Sequence, residues 1–238
     1  MLPGGAETGI FLHDLLATAA LDELSPEFGS WLARPSVERW LDKIRRRHAR
    51  PESDVEPAAR LVHRAYTAPV ALGNITIPNL ASANVVLREM EFLFPIPEAA
   101  HPLLSQPFAT PARWTIERGT VRGFIDLLFE HEGRVVVCDW KSDDLVDFTP
   151  SALAEHCREH YEVQARLYIL ATLRVARITE AEGYASRFGG MLFCFLRGLP
   201  DTKEGRPGQG MHFFKPAWPE ILDWERALLS PSFWEGVR

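Results

Sequence analysis

Apolar residues recur along the first third of the chain at helical spacing. Ile10, Leu12, Leu15, Leu16 and Ala19 line one broad face of a helix predicted over Gly9–Ala20. A second helix is predicted to open at Pro35-Ser36, with Ser36 as its cap and Val37, Trp40, Leu41 and Ile44 as its buried stripe. Ala49–Pro57 reads as a loop, and a third helix follows over Ala58–Ala68. From Val85 the period changes to that of a strand: VVLREMEFLFPIP alternates and is closed by Pro95 and Pro97. A loop rich in Pro, Ala and Ser carries the chain to about Thr115. GFIDLLFEHEGRVVVCDWKSD, Gly123–Asp143, reads as two apolar strands around a glycine turn. Pro150 opens a helical region from Ser151 to about Ile178, and Gly189–Gly198 is another buried strand. A loop over Asp201–Gly210 leads to a short strand at Met211–Phe214, and Pro219–Leu229 closes as a helix. Helices on either side of a short run of strands give an α/β (α+β) fold class, with a mostly helical part (1–84) ahead of the α/β core (85–238).

With 46% hydrophobic residues among 238, the chain can bury a real core. Its apolar runs are strand-sized, short of the roughly 20 residues that cross a bilayer, so no membrane association is expected. Near the start, Glu7, His13 and Asp14 interrupt the apolar pattern and no basic segment precedes it, which argues against a signal peptide. Cys138, Cys157 and Cys194 lack metal-ligand spacing. They fit small buried hydrophobes in a reducing cytoplasm, and argue against a zinc ribbon or an iron–sulfur site. The net charge of −6 gives no global argument for a nucleic-acid partner. One local basic run, Lys43–Arg50, reads most simply as a solvated helix face; a phosphate-contacting surface is the sharper alternative.

The hairpin carries the chemistry. With Glu132-Gly133 at the turn, paired positions sum to 265, which sets Asp126 opposite Asp139. Their Cβ atoms would lie roughly 4.5–5.5 Å apart. Lys141 shares the face of Asp139, and Ile125, Leu127, Phe129, Val136, Cys138 and Trp140 are assigned to the other, core face. Glu-Gly is not the preferred Asn-Gly turn, which leaves a longer loop or a bulge open.

Two like charges opposed in a half-buried sheet are unfavourable, and one ammonium cannot satisfy two buried carboxylates. A divalent cation does so, taking carboxylate oxygens while leaving room for phosphate. Solvated aspartates on an edge-like hairpin are the alternative. A cation beside two carboxylates and a lysine suits phosphodiester hydrolysis. The chain has no Ser-His-Asp, Cys-His or glycine-rich phosphate motif to suggest another chemistry.

Asp126-(x)12-Asp139-Trp140-Lys141 resembles the D…D-x-K signature of the PD-(D/E)xK nucleases. The surrounding run closely resembles the RecB type of nuclease domain, found in bacterial RecBCD helicase–nucleases. HYEVQARLYILA (His160–Ala171) is similar to that family's Q-x-x-x-Y helix, GIFLHDLL to its G-x-x-x-H helix, RFGGMLFCFLRG to its late core strand, and EMEFLFPIP to the strand before its hairpin. The resemblance spans nearly the whole chain in the family's order.

It implies a single nuclease domain over 1–238 with a restriction-endonuclease-like core, a central mixed sheet flanked by helices. His13, Asp126, Asp139 and the Trp140 carbonyl would be metal ligands, Lys141 the catalytic lysine, and Gln164 and Tyr168 would reach toward the site or the DNA. Glu89 or Glu91 would be the upstream acid, with Glu89 preferred. The implied cofactor is Mg²⁺, with Mn²⁺ as the alternative. The implied partners are DNA and RecC/RecD-like subunits with a helicase portion, because no Walker A or helicase motif occurs here. The chain begins almost at the first nuclease motif, as a domain of a longer polypeptide or a stand-alone relative would. Taken residue by residue, each assignment has a plainer reading: a packed His13, a core Tyr168, a surface Gln164, solvated Glu89 and Glu91. Two competing functions stand beside a DNA nuclease: a catalytically silent DNA-binding or scaffold module of the same fold, and a metal-dependent phosphoesterase acting on RNA or small substrates.

Overall fold

The structure, a computed structural model, describes residues 2–95, 114–117, 120–200 and 205–228. Four helices open the chain: α1 (Ala6–Thr18), α2 (Phe28–Leu32), α3 (Pro35–Arg47) and α4 (Val55–Thr67). A small antiparallel hairpin follows, β1 (Val70–Leu72) and β2 (Ile75–Ile77). The main sheet is built from β3 (Asn84–Pro95), β4 (Trp114–Glu117), β5 (Thr120–His131), β6 (Arg134–Lys141), β7 (Phe188–Phe195) and β8 (Met211–Phe214). Between β6 and β7 the chain crosses through α5 (Pro150–His160), α6 (Glu162–Val175) and α7 (Ala181–Arg187), and α8 (Trp218–Leu228) follows β8.

The strand order is β3-β5-β6-β7-β8, with β4 also paired to β5. The β6–β7 pair is parallel and the others are antiparallel, so the sheet is mixed. A parallel pair requires a long crossover, which α5–α7 supply.

Sheet alternation sorts the apolar side chains into two cores. Leu127, Phe129, Val136, Cys138 and Trp140 meet the N-terminal helices through Phe11, Leu12, Leu41, Val62 and Tyr66. Leu128, Val137, Met191, Phe193 and Phe195 meet α5, α6 and α8 through Leu153, Leu167, Tyr168 and Ile221. Each fully buried side chain of this size contributes roughly 1.5–3 kcal/mol, so these cores outweigh any single polar contact in fixing the platform.

The hairpin register holds: Leu127 pairs with Cys138, Leu128 with Val137 and Glu130 with Val135. Glu132 (φ 49) and Gly133 (φ 75) are both left-handed, the two-residue turn whose twist matches its strands, so neither a bulge nor a longer loop is needed. Ile125 departs from expectation by joining the α5–α6 core, opposite Leu127, for a reason that lies in the site itself.

Other differences are local. Ser36 does not cap α3; Arg34 is the cap residue, Pro35 occupies the first turn, and the Ser36 hydroxyl donates to Glu23 Oε2 at 2.6 Å. The predicted loop over Ala49–Pro57 is shorter, because α4 already starts at Val55. The expected single helix from Ser151 is broken at Tyr161 (φ −127, ψ 4) into α5 and α6. Pro97, most of the Pro/Ala/Ser-rich loop, the start of the Asp201–Gly210 loop and Leu229 lie outside the described residues. No helix among the described residues is long and apolar enough to cross a membrane.

Candidate active site

Where the β5–β6 ladder ends at Leu127–Cys138, a side chain takes over from the main chain: the Trp140 N–H donates to Asp126 Oδ2 at 2.8 Å. The Trp140 indole packs into the helical core, 5.5 Å from the Tyr66 ring, so Trp140 meets the site through its main chain. Across β5, Arg88 pairs with Leu127 and Met90 with Ile125, which brings Glu89 level with Asp126.

Glu89 has φ +51, a conformation that costs a non-glycine residue on the order of 1–3 kcal/mol and gathers at functional sites. Both strands change faces at this level. Arg88 donates to the Ala19 carbonyl on the helical side, whereas Met90, Phe92 and Ile125 turn to the α5–α6 side. Strict alternation across Asp126 had put Ile125 in the wrong core for this reason.

Helix α1 brings His13 to the same place. A Cβ on Gly9, one turn earlier, would lie 3.1 Å from Ser142 Oγ, so glycine allows the helix to approach the end of β6 closely. Arg197 ties the two together. Its Nε donates to the Ser142 carbonyl at 3.0 Å, and its terminal nitrogens donate to the Leu2 and Pro3 carbonyls at 3.0 and 2.9 Å. Arg47 and His48 hold Asp14, each at 2.8 Å from Oδ2, and so brace α1 from α3. Much of the basic run from Lys43 to Arg50 is engaged in such internal pairs: Arg45 and Arg46 meet Asp42, and Arg50 meets Asp54.

His13 Nδ1 then lies 3.3 Å from Asp126 Oδ1. One ligand atom from each of His13, Glu89 and Asp126 falls within 4.8 Å of the others. One imidazole nitrogen and two carboxylates, one of them only 2% exposed, form a donor set that fits a divalent cation with oxygen-rich ligation. Glu91 does not join them; it pairs with Arg122 at the surface.

Asp139, 1% exposed, belongs to a second group. Lys141 Nζ is 2.6 Å from Asp139 Oδ2, a contact of charges rather than an aligned hydrogen bond. Lys141 also donates to Gln164 Oε1 at 2.7 Å. The Gln164 amide nitrogen donates to Asp139 Oδ1 at 3.1 Å and to the Tyr168 hydroxyl at 2.9 Å. Gln164 thus uses its acceptor and both donors within the site. Tyr168 is fully buried against Phe92 and holds Gln164 from behind rather than presenting itself to a ligand. The seven candidate side chains therefore gather as two adjoining sets, His13–Glu89–Asp126 and Asp139–Lys141–Gln164 backed by Tyr168, and the two aspartates stand on the interior strands β5 and β6 rather than on a solvated edge.

Three residues given no role from the sequence adjoin the lysine. Tyr161, at the break between α5 and α6, lies with its ring centroid 3.8 Å from Lys141 Nζ. Its hydroxyl donates to Asp143 Oδ1 at 2.6 Å, and His156 Nε2 is 3.2 Å from the same oxygen. Burial, then Asp143, pushes the Tyr161 phenol pKa up, which keeps it a neutral donor. Its place three residues before Gln164 was the available signal. Burial also raises the Cys157 thiol to about 12, which removes it as a nucleophile.

Residues 4–233 match the PD-(D/E)XK nuclease superfamily, whose nucleases use divalent metals. Over 234 residues the chain is 33% identical to the RecBCD enzyme subunit RecB of Escherichia coli (strain K12), covering 90% of this chain and 18% of that protein. RecB of Haemophilus influenzae is 36% identical over 106 residues (42% of this chain, 8% of that one), and RecB of Chlamydia pneumoniae 27% identical over 212 (86% and 17%). The chain spans less than a fifth of the length of each of these relatives.

Proposed function

The chain belongs to the PD-(D/E)XK nuclease superfamily, and from that premise we propose that it is a Mg²⁺-dependent deoxyribonuclease domain of the RecB type, a single functional unit over 1–238. The observation that carries this reading is the adjacency of the two sets of side chains, a ligand group of His13, Glu89 and Asp126 beside a buried Asp139–Lys141 pair.

His13, Glu89, Asp126, Asp139 and the Trp140 carbonyl would hold the cation. When bound, it supplies Lewis acidity toward the phosphate oxygens and the attacking water, and Mn²⁺ could replace Mg²⁺. The remaining work falls to the chain. Lys141, fixed by Asp139 and Gln164, presents a positive charge where negative charge builds on the phosphate. Gln164 keeps the ammonium and carboxylate in register, and Tyr168 keeps Gln164 from rotating. The sheet and its two cores hold these groups in place before substrate arrives, which removes reorganisation from the barrier.

The RecB relatives are subunits of the RecBCD enzyme. By likeness to them, this domain would act in the cytoplasm on DNA strands delivered by a helicase portion and RecC/RecD-like subunits, during double-strand-break repair and recombination. The test is cleavage of labelled linear single- and double-stranded DNA in Mg²⁺ by the wild type, Asp139→Ala and Lys141→Ala, with EDTA as control. Loss of cleavage in both variants and in EDTA is expected. Cleavage that survives the substitutions, or a wild type that neither cleaves nor binds Mg²⁺ by calorimetry, would overturn the reading.

A further inference from the structure

An ammonium has three N–H donors; Lys141 gives one to the Gln164 amide oxygen, and the Asp139 carboxylate lies beside the charge at 2.6 Å. The third neighbour is an aromatic face. Nζ lies 3.8 Å from the Tyr161 ring centroid, well inside the distance at which a cation is drawn to a ring, and 5.3 Å from that of Phe193. Lys141 is only 8% exposed, so water screens the attraction little. The ring is in turn fixed. Its hydroxyl donates to Asp143, which His156 also meets, and Phe193 packs 5.6 Å from it between centroids. The backbone joins in the arrangement, since the helix breaks at this residue with no glycine or proline to cause it.

We infer that Tyr161 is a positioning residue for Lys141, its ring anchored by Asp143, so that the ammonium is held by an aromatic face as well as by Asp139 and Gln164. A π face is the softest of the three partners. It steadies the charge without competing as an oxygen acceptor, and it is the contact that Lys141 can exchange for a phosphate oxygen at least cost. A tyrosine that merely filled space would need neither the short approach to Nζ nor the Asp143 anchor. The inference rests on the nuclease reading for its catalytic consequence, but not for the placement of the lysine.

The test separates the two. Lysine is labelled at its ε-carbon, and the four lysines of the chain are resolved by NMR in metal-free, DNA-free protein, with Lys141→Arg identifying the signal of interest. In the wild type and in Tyr161→Phe, the Lys141 ε-protons are expected upfield of ordinary lysine, under the ring. In Tyr161→Leu they should return toward the ordinary position. Asp143→Ala, which frees the ring without removing it, should move them part of the way, and it serves if the leucine variant fails to fold. In cleavage assays, kcat should fall about 30-fold in Tyr161→Leu, the equivalent of a desolvated cation–π contact. The KM for DNA should stay near that of the wild type, and Tyr161→Phe should restore most of kcat. A Lys141 signal at the ordinary lysine position in the wild type, or one unmoved in a folded Tyr161→Leu or in Asp143→Ala, would overturn the inference. A moved signal with unchanged kcat in an active enzyme would overturn its catalytic part. If no protein cleaves or binds Mg²⁺, the nuclease reading fails, while the resonance still decides whether Tyr161 places the lysine.

Discussion

Replacing Asp126 by asparagine should make the metal-free protein more stable while ending its response to the cation. Ligand atoms of Glu89 and Asp126 lie within 4.8 Å of each other. At an effective dielectric near 20, two such carboxylates repel by about 3 kcal/mol. Glu89 is half-buried rather than buried, so screening by water leaves roughly 1–2 kcal/mol. Asparagine removes this repulsion and keeps the bond to the Trp140 N–H, because its carbonyl oxygen can accept where Oδ2 does. The measurement is thermal unfolding in EDTA at about pH 8, above the ordinary histidine range, so that loss of an Asp126 attraction to charged His13 does not mask the gain. For a chain of this size the variant should melt about 2–8 °C higher than the wild type. Adding Mg²⁺ to a hundred times its dissociation constant should stabilise the wild type by about 2.7 kcal/mol and leave the variant unchanged. A variant that melts lower in EDTA and still responds to Mg²⁺ would show that Asp126 is a structural carboxylate, and the argument from converging charge would fail.

Two further outcomes concern stability. His63 is 6% exposed, its Nε2 lies 2.8 Å from the Ser25 carbonyl, and burial holds its pKa below the ordinary 6.5. The unfolded chain therefore binds the proton more readily, so this contribution to stability is complete above about pH 6.5 and is lost as pH falls toward the folded pKa. His212 shifts in the same direction, so His63→Gln should flatten the acid side of a plot of unfolding free energy against pH only in part; curves that run parallel would refute the assignment. At Gly210 (φ +72), an added Cβ would lie 2.4 Å from the Gly198 carbonyl carbon and 2.6 Å from its oxygen. Backbone cannot swing aside as a side chain can, so Gly210→Ala should cost at least about 2 kcal/mol, seen as a melting point lowered by about 4 °C or more. An unchanged melting point would mean that β8 and the turn after β7 approach each other less closely than described.

The hairpin was legible because its constraints are local. Alternating apolar residues, a glycine at the turn and a two-residue period leave one register that buries both faces, and Leu127–Cys138 follows it. Legibility ended one residue later. The period carried Ile125 to the wrong core because nothing in the composition of LREMEF announces a left-handed Glu89, which stands beside His13 and Asp126 only in the folded chain. Tyr161 shows the same limit in a helix: its neighbours favour continuity, and the break serves an aspartate eighteen residues earlier. The basic run was readable as charge and, through Asp42 and Asp54 at helical spacing, partly as partnership, but Asp14 reaches it from another helix only after folding. For Glu89 against Glu91, alternation put both on one face, and only the change of faces sends one to His13 and the other to Arg122.

The gathering of His13 from the first helix with Glu89, Asp126, Lys141 and Gln164 from four later elements also sets a limit on fragments. No stretch of the chain shorter than residues 13–164 contains them all, and His13 reaches Asp126 only when α1 has docked against the end of β6. During synthesis the histidine emerges first and the glutamine about 150 residues later, roughly ten seconds or more at ordinary elongation rates. A nascent or proteolytically clipped chain therefore carries the parts of the site without the site, which exists only once the whole sheet and its helical layer have closed.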